Sequence, residues 1–159
     1  MRRFERTARR SWSLVDEAGH VLGTKVQPKW YSQRAEIAVA AGLYMVKSRK
    51  MLSRDLAVFY GDVPILVADQ KWTSTVIRRP DEPQLVVTLK RKRWFSRVHD
   101  LVDASGRVRA SMRRRFDWKS FEHEPILLEE HGEALDPLVI LFAAHVVEVQ
   151  EQRAAAAAS

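Results

Sequence analysis

Ten consecutive residues, Leu138-Val139-Ile140-Leu141-Phe142-Ala143-Ala144-His145-Val146-Val147, carry no polar stripe and one imidazole. Asp136-Pro137 precedes them, an N-cap acceptor followed by a residue whose missing N–H costs nothing in a first turn. Glu148 to Arg153 continue with helix formers, so the spacing predicts a helix from about residue 136. A helix that is apolar around its whole circumference has to be enclosed on every side. A flat sheet covers one face, and the chain has no second long helical pattern to cover the rest. The expected fold is therefore mainly β: an antiparallel barrel, or nearly closed barrel, of about 12 strands enclosing a hydrophobic C-terminal α-helix. The charge-free stretch from Pro137 to Val147 is shorter than the roughly 18 apolar residues needed to cross a bilayer, so no transmembrane span is predicted.

Turn signals support a meander. Ala18-Gly19, Ala41-Gly42, Gly61-Asp62, Pro80-Asp81-Glu82-Pro83, Ser105-Gly106 and His131-Gly132 recur about twenty residues apart, each between β-branched or aromatic runs. Two strands and their connections fill such an interval, which gives roughly ten to twelve strands before residue 135. Within the runs, Leu85, Val87 and Leu89 share one face, and Val108, Ala110 and Met112 oppose Arg107, Arg109, Ser111 and Arg113. Val63 to Asp69 is apolar on both faces, as in a strand covered on both sides. Leu14-Val15-Asp16-Glu17-Ala18-Gly19-His20-Val21 repeats 87 residues later as Leu101-Val102-Asp103-Ala104-Ser105-Gly106-Arg107-Val108. Both copies read as strand, tight turn, strand, either as convergent hairpin chemistry or as related halves of a two-lobed sheet.

With 159 residues and 46% hydrophobic content, the chain is long enough for one core, predicted over residues 11–153. Residues 1–10 read as a basic opening segment, without the apolar core of a secretory signal, and 154–159 as an alanine-rich tail. The absence of cysteine excludes disulfides, thiolate metal sites and a cysteine nucleophile; the expectation is an intracellular, cytoplasmic protein. Charge is uneven: 13 Lys and Arg against 7 Asp and Glu in residues 1–77, 12 against 4 in 78–115, and 2 against 9 in 116–159. Such a gradient attracts polyanions, phospholipid head groups or nucleic acid alike; the alternative is that the arginines serve solubility and the acidic third neutralises the basic middle.

Several segments resemble the LURP-one-related proteins of the tubby C-terminal-like superfamily, which also includes the phospholipid scramblases. Thr88-Leu89-Lys90-Arg91-Lys92-Arg93-Trp94-Phe95-Ser96-Arg97 is similar to that family's strand-to-strand connection, and Ser48-Arg49-Lys50-Met51-Leu52-Ser53-Arg54-Asp55 is a second instance. Leu101-Val102-Asp103 with Gly106-Arg107-Val108 resembles a family hairpin, and Leu135-Asp136-Pro137 resembles the start of its final helix. The resemblance implies a basic surface that binds phosphoinositides, without fixing its residues. Scrambling is not implied, because a proline-rich N-terminus, a palmitoylated cysteine cluster and an acidic calcium loop are all missing from this sequence.

The candidate anion site combines Lys90, Arg91, Lys92 and Arg93 with Arg107, Arg109, Arg113, Arg114 and Arg115, whose guanidinium forks suit phosphate oxygens. Trp94 and Phe95 are candidates for the membrane interface, with packing in the barrel as the competing role; Lys47, Arg49 and Lys50 form a smaller patch. The five histidines lie in no metal-ligand spacing, Glu122-His123-Glu124 and Glu129-Glu130-His131 read as solvated acidic loops, and no nucleophile elbow, phosphate loop or paired carboxylates are recognisable. His99 and Asp100 point to opposite faces of a strand, and His145 reads as a hydrogen-bonded core residue. The expectation is thus a non-enzymatic binding module without cofactor or metal, whose partner is an anionic phospholipid or phosphoinositide at the membrane periphery. Nucleic acid is the alternative partner, and a protein-interaction scaffold the third reading.

Overall fold

Short alternating segments separated by turn residues pair each with the next. A computed structural model describes residues 1–29, 32–50, 54–82, 85–93, 97–113, 116–117, 122–123 and 126–158. The first six strands are β1 (Arg3–Ala8), β2 (Ser11–Val15), β3 (Val21–Val26), β4 (Ala35–Val39), β5 (Gly42–Ser48) and β6 (Leu56–Tyr60). Then come β7 (Val63–Gln70), β8 (Ser74–Arg78), β9 (Leu85–Arg91), β10 (Val98–Val102) and β11 (Val108–Arg113). A small hairpin, β12 (Phe116–Asp117) and β13 (Glu122–His123), precedes β14 (Leu127–Glu130) and the helix α1 (Pro137–Ala158). All but β12 and β13 form one 12-stranded antiparallel sheet in chain order, with β14 following β11. Much of the basic opening segment is therefore strand.

The sheet curls into a nearly closed barrel. Its two edges, β1 and β14, lie side by side, and side chains rather than ladder bonds join them: Arg2 Nε donates to Glu130 Oε2 at 2.9 Å, and Arg2 Nη2 to the Leu135 carbonyl at 2.8 Å. Both side chains of the ion pair are largely buried, so the seam is sealed by a charge-assisted bidentate contact.

The helix fills the lumen. Every residue from Leu138 to Val149 is buried, against inward side chains such as Leu14, Ile37, Val58, Ile77, Leu89, Leu101 and Met112. Each such aliphatic or aromatic side chain contributes about 1.5–3 kcal/mol of burial free energy. Asp136 caps the helix as its position predicts, its Oδ1 accepting the Leu138 N–H at 2.8 Å. Gly23 lets α1 approach β3: a Cβ there would lie 2.6 Å from Leu141 Cδ1 and 2.8 Å from Val39 Cγ1. Gly23→Val is expected to destabilise the protein by about 1–3 kcal/mol through overpacking, read as a lower urea midpoint; an unchanged midpoint refutes this contact.

The sequence repeat is structural. In both copies the aspartate carbonyl accepts the glycine N–H at 3.0 Å, the glycine adopts a positive φ (85° at Gly19, 87° at Gly106), and a bulge follows at Leu14/Val15 and Leu101/Val102. The copies occupy one continuous sheet rather than two lobes. In β7, Leu66 and Ala68 face the lumen while Val67 joins Ala57 and Phe59 in a separate outer cluster, which accounts for a strand apolar on both faces.

Candidate functional site

In an antiparallel meander, alternate connections lie at opposite ends of the barrel. The six turn signals of the sequence are all alternate connections of this kind, so they collect at one mouth, where α1 also begins. The other connections collect at the opposite mouth, where α1 emerges. They hold Arg9 and Arg10 (β1–β2), Lys29 and Arg34 (β3–β4), Arg49, Lys50 and Arg54 (β5–β6), Lys71 (β7–β8), and Lys92, Arg93 and Arg97 (β9–β10). Among the described residues of these five connections, Asp55 is the one acid; the sixth connection at this mouth, β11–β14, carries Asp117 and Glu122 on its small hairpin. At the first mouth, the connections hold Asp16, Glu17, Asp62, Asp81, Glu82, Asp103, Glu133 and Asp136 against Arg79 and Arg107. The barrel is thus electrically polarised along its axis, and the dipole of α1 runs the opposite way, its positive end at the acidic mouth, so each helix end faces loops of the complementary charge.

The basic mouth contains a cleft of about 700 Å³ lined by Arg54, Lys71, Arg91, Lys92, Arg93 and Arg153, together with Trp72, Thr73, Ser74, Gln150 and His99, and among the described residues no carboxylate lines it. Strand alternation sets part of this: Leu89 points into the lumen, and Arg91, two residues on, reaches the same side at the rim. Arg153 staples the helix to two connections and the end of β7, donating to Gln33 Oε1 at 2.8 Å, the Arg54 carbonyl at 3.1 Å and Gln70 Oε1 at 3.3 Å. Burial and the neighbouring Arg54 both lower its pKa. At the cleft floor His99 is 2% exposed, its Nε2 4.0 Å from Glu151 Oε1; burial first, and then the Arg91 charge, push its pKa down to about 4, so the ring is neutral near pH 7. Asp100 turns outward, as its neighbour's burial requires, and accepts from Ser111 Oγ at 2.7 Å. A second cleft of about 720 Å³ lies beside Arg34, Lys47, Arg49 and Lys50, the smaller basic patch of the sequence reading.

The structure brings together part of the predicted anion site. Arg91, Lys92 and Arg93 line the basic cleft, and exposed Arg113 lies at the same mouth, because Val98 stands between it and the Lys92 N–H. Lys90 is exposed on β9, one residue below the rim. Arg107 lies at the acidic mouth instead, roughly 20 Å from Arg113 by the rise of a strand. Arg109 is engaged near that mouth, with Nη1 3.5 Å from Asp103 Oδ2 and Nη2 donating to the Glu133 carbonyl. The second basic run is therefore split between the two mouths. Arg114, Arg115, Trp94 and Phe95 lie outside the described residues. Arg54, Lys71, Trp72 and Arg153 are site residues that reasoning along the sequence missed. The signal for the first three was present: in a meander, connections two apart share an end, so basic residues in alternate loops converge. Arg153 needed the helix's exit point. Among the described residues, no group of three or more His, Asp or Glu is placed to hold a metal ion, and no helix is long and apolar enough to cross a membrane.

Comparison with protein-family models, curated proteins and solved structures gives no match for this chain.

Proposed function

We propose that this protein is a non-enzymatic, LURP-one-related, tubby-like module that binds anionic phospholipid or phosphoinositide head groups through its basic mouth, as a peripheral protein of a cytoplasmic leaflet. The observation that carries this reading is the segregation of charge, with a cleft at the mouth where α1 emerges that is lined by six cations and, among the described residues, by no carboxylate. Basic side chains near an anionic leaflet contribute additively to attachment, and their effect is screened within a Debye length.

Co-sedimentation with phosphatidylcholine vesicles containing phosphatidylserine or a polyphosphoinositide tests it. Binding is expected at low salt and is expected to weaken as salt rises. Lys92→Glu/Arg93→Glu is expected to lose roughly a thousandfold in affinity, taking about 1 kcal/mol for each charge removed and a comparable penalty for each acid introduced. Arg107→Glu, at the other mouth, is expected to stay within about twofold, being beyond the screening length. No vesicle binding at low salt, or equal losses from the two sites, overturns the proposal. Retention of an oligonucleotide with no vesicle binding would overturn it in favour of the nucleic-acid reading.

A further inference from the structure

Trp72 is 100% exposed, the largest exposed hydrophobic side chain among the described residues, and it stands at the tip of the tight β7–β8 hairpin, closed by a Lys71 N–H to Ser74 carbonyl bond of 2.7 Å. An indole held wholly in water forgoes a large apolar contact area, whereas at a bilayer surface its ring enters the head-group layer and its N–H keeps a polar partner. The hairpin presents it on the rim of the basic cleft, next to Lys71 and across from Arg93. The cations of this mouth are spread over five connections rather than gathered in one pocket, which suits a plane of anionic head groups better than a single small anion.

We infer that Trp72 is the membrane-entering tip of the protein, so that the barrel docks end-on with the exit end of α1 toward the lipid and the acidic mouth toward solvent. This rests on the reading of the basic mouth as a lipid-binding site, and it adds the anchor and the orientation. The partner is an anionic bilayer, chosen by charge complementarity with the rim. The indole's share of the binding is independent of salt, whereas that of the cations is not.

The sequence contains no cysteine, so Trp72→Cys and, as a control at the acidic mouth, Val63→Cys each take one polarity-sensitive fluorophore. With phosphatidylcholine–phosphatidylserine vesicles, the label at 72 is expected to shift to the blue and be quenched by lipids carrying a spin label near the head group, while the label at 63 stays unchanged. Trp72→Ala, at a site whose side chain contacts little of the fold, is expected to bind vesicles about tenfold more weakly with the same salt slope. If vesicles sediment the protein but the label at 72 stays in water, or both labels respond alike, or Trp72→Ala binds as tightly as the parent, the inference fails and the lipid-binding reading stands. If the unlabelled protein does not sediment with the vesicles at all, the lipid-binding reading fails, and the inference with it.

Discussion

Glu148→Leu is expected to destabilise the protein by roughly 3–5 kcal/mol, because it strands a buried ammonium. Lys25 and Glu148 are both more than nine-tenths buried and form an ion pair between β3 and α1. Lys25 Nζ also lies 4.8 Å from the centre of the Trp12 ring and 3.2 Å from His145 Nδ1. His145 Nε2 is 2.7 Å from the Gln33 carbonyl, which can only accept, so that nitrogen carries the ring proton and Nδ1 accepts from Lys25. His145 and Glu148 are three residues apart on one helix face, and they are the polar side chains within the buried stretch of α1. A helix apolar all round, in an apolar lumen, has no preferred rotation or depth. This cluster supplies one.

The double variant Lys25→Met/Glu148→Leu is accordingly expected to recover most of the lost stability, to within about 1 kcal/mol of the parent, while broadening the NMR signals of α1 as its packing loses uniqueness. Urea melts and a proton–nitrogen correlation spectrum check the two halves. A Glu148→Leu protein that melts like the parent would sink the account of the pair, and a double variant with sharp parental spectra would sink its role in fixing the helix.

Acid is expected to weaken the fold, with the loss beginning near pH 6.5. His145 is fully buried, and desolvation, followed by the nearby Lys25 charge, lowers its pKa to about 3; that of His99 is lowered to about 4. The unfolded chain takes up both protons below about pH 6.5, while the native state refuses them until pH 4 and below. Native stability from these rings is therefore complete above that pH and falls as pH drops, by roughly 1.4 kcal/mol per pH unit for each ring. The Asp103 carboxyl, held down to about 2 by bonds from Ser105 and the Arg107 N–H, adds a loss of the same sign at still lower pH. Stability measured by urea across this range checks the slope. His145→Gln is expected to flatten it by one proton's share, and an unflattened slope would show that His145 is not the titrating group.

Much of the architecture was legible because two periodicities leave direct marks in a sequence. The Asp136-Pro137 start and the unbroken apolar run named a buried helix, and the glycine turns counted the strands. The site was legible in part. Lys92 and Arg93 were found as a charge run, but a run marks neighbours along the chain, whereas a barrel mouth gathers residues two strands apart, such as Arg54, Lys71 and Arg93. For the same reason Arg107 and Arg113, both in the second basic run, sit at opposite ends of β11 and face different electrostatic surroundings. Lys25 shares the lumen-facing side of β3 with Gly23, and nothing local says that a lysine there meets Glu148 of the enclosed helix.

What the sequence alone determined is the enclosure: no water-facing side exists on residues 138–147, so the preceding strands had to surround them. What only the tertiary structure decided is which charges meet. Hydrophobic burial is non-directional and readable from residue type, but electrostatic partnership depends on distances of a few ångströms between segments more than a hundred residues apart, as for Lys25 with Glu148 and Arg2 with Glu130.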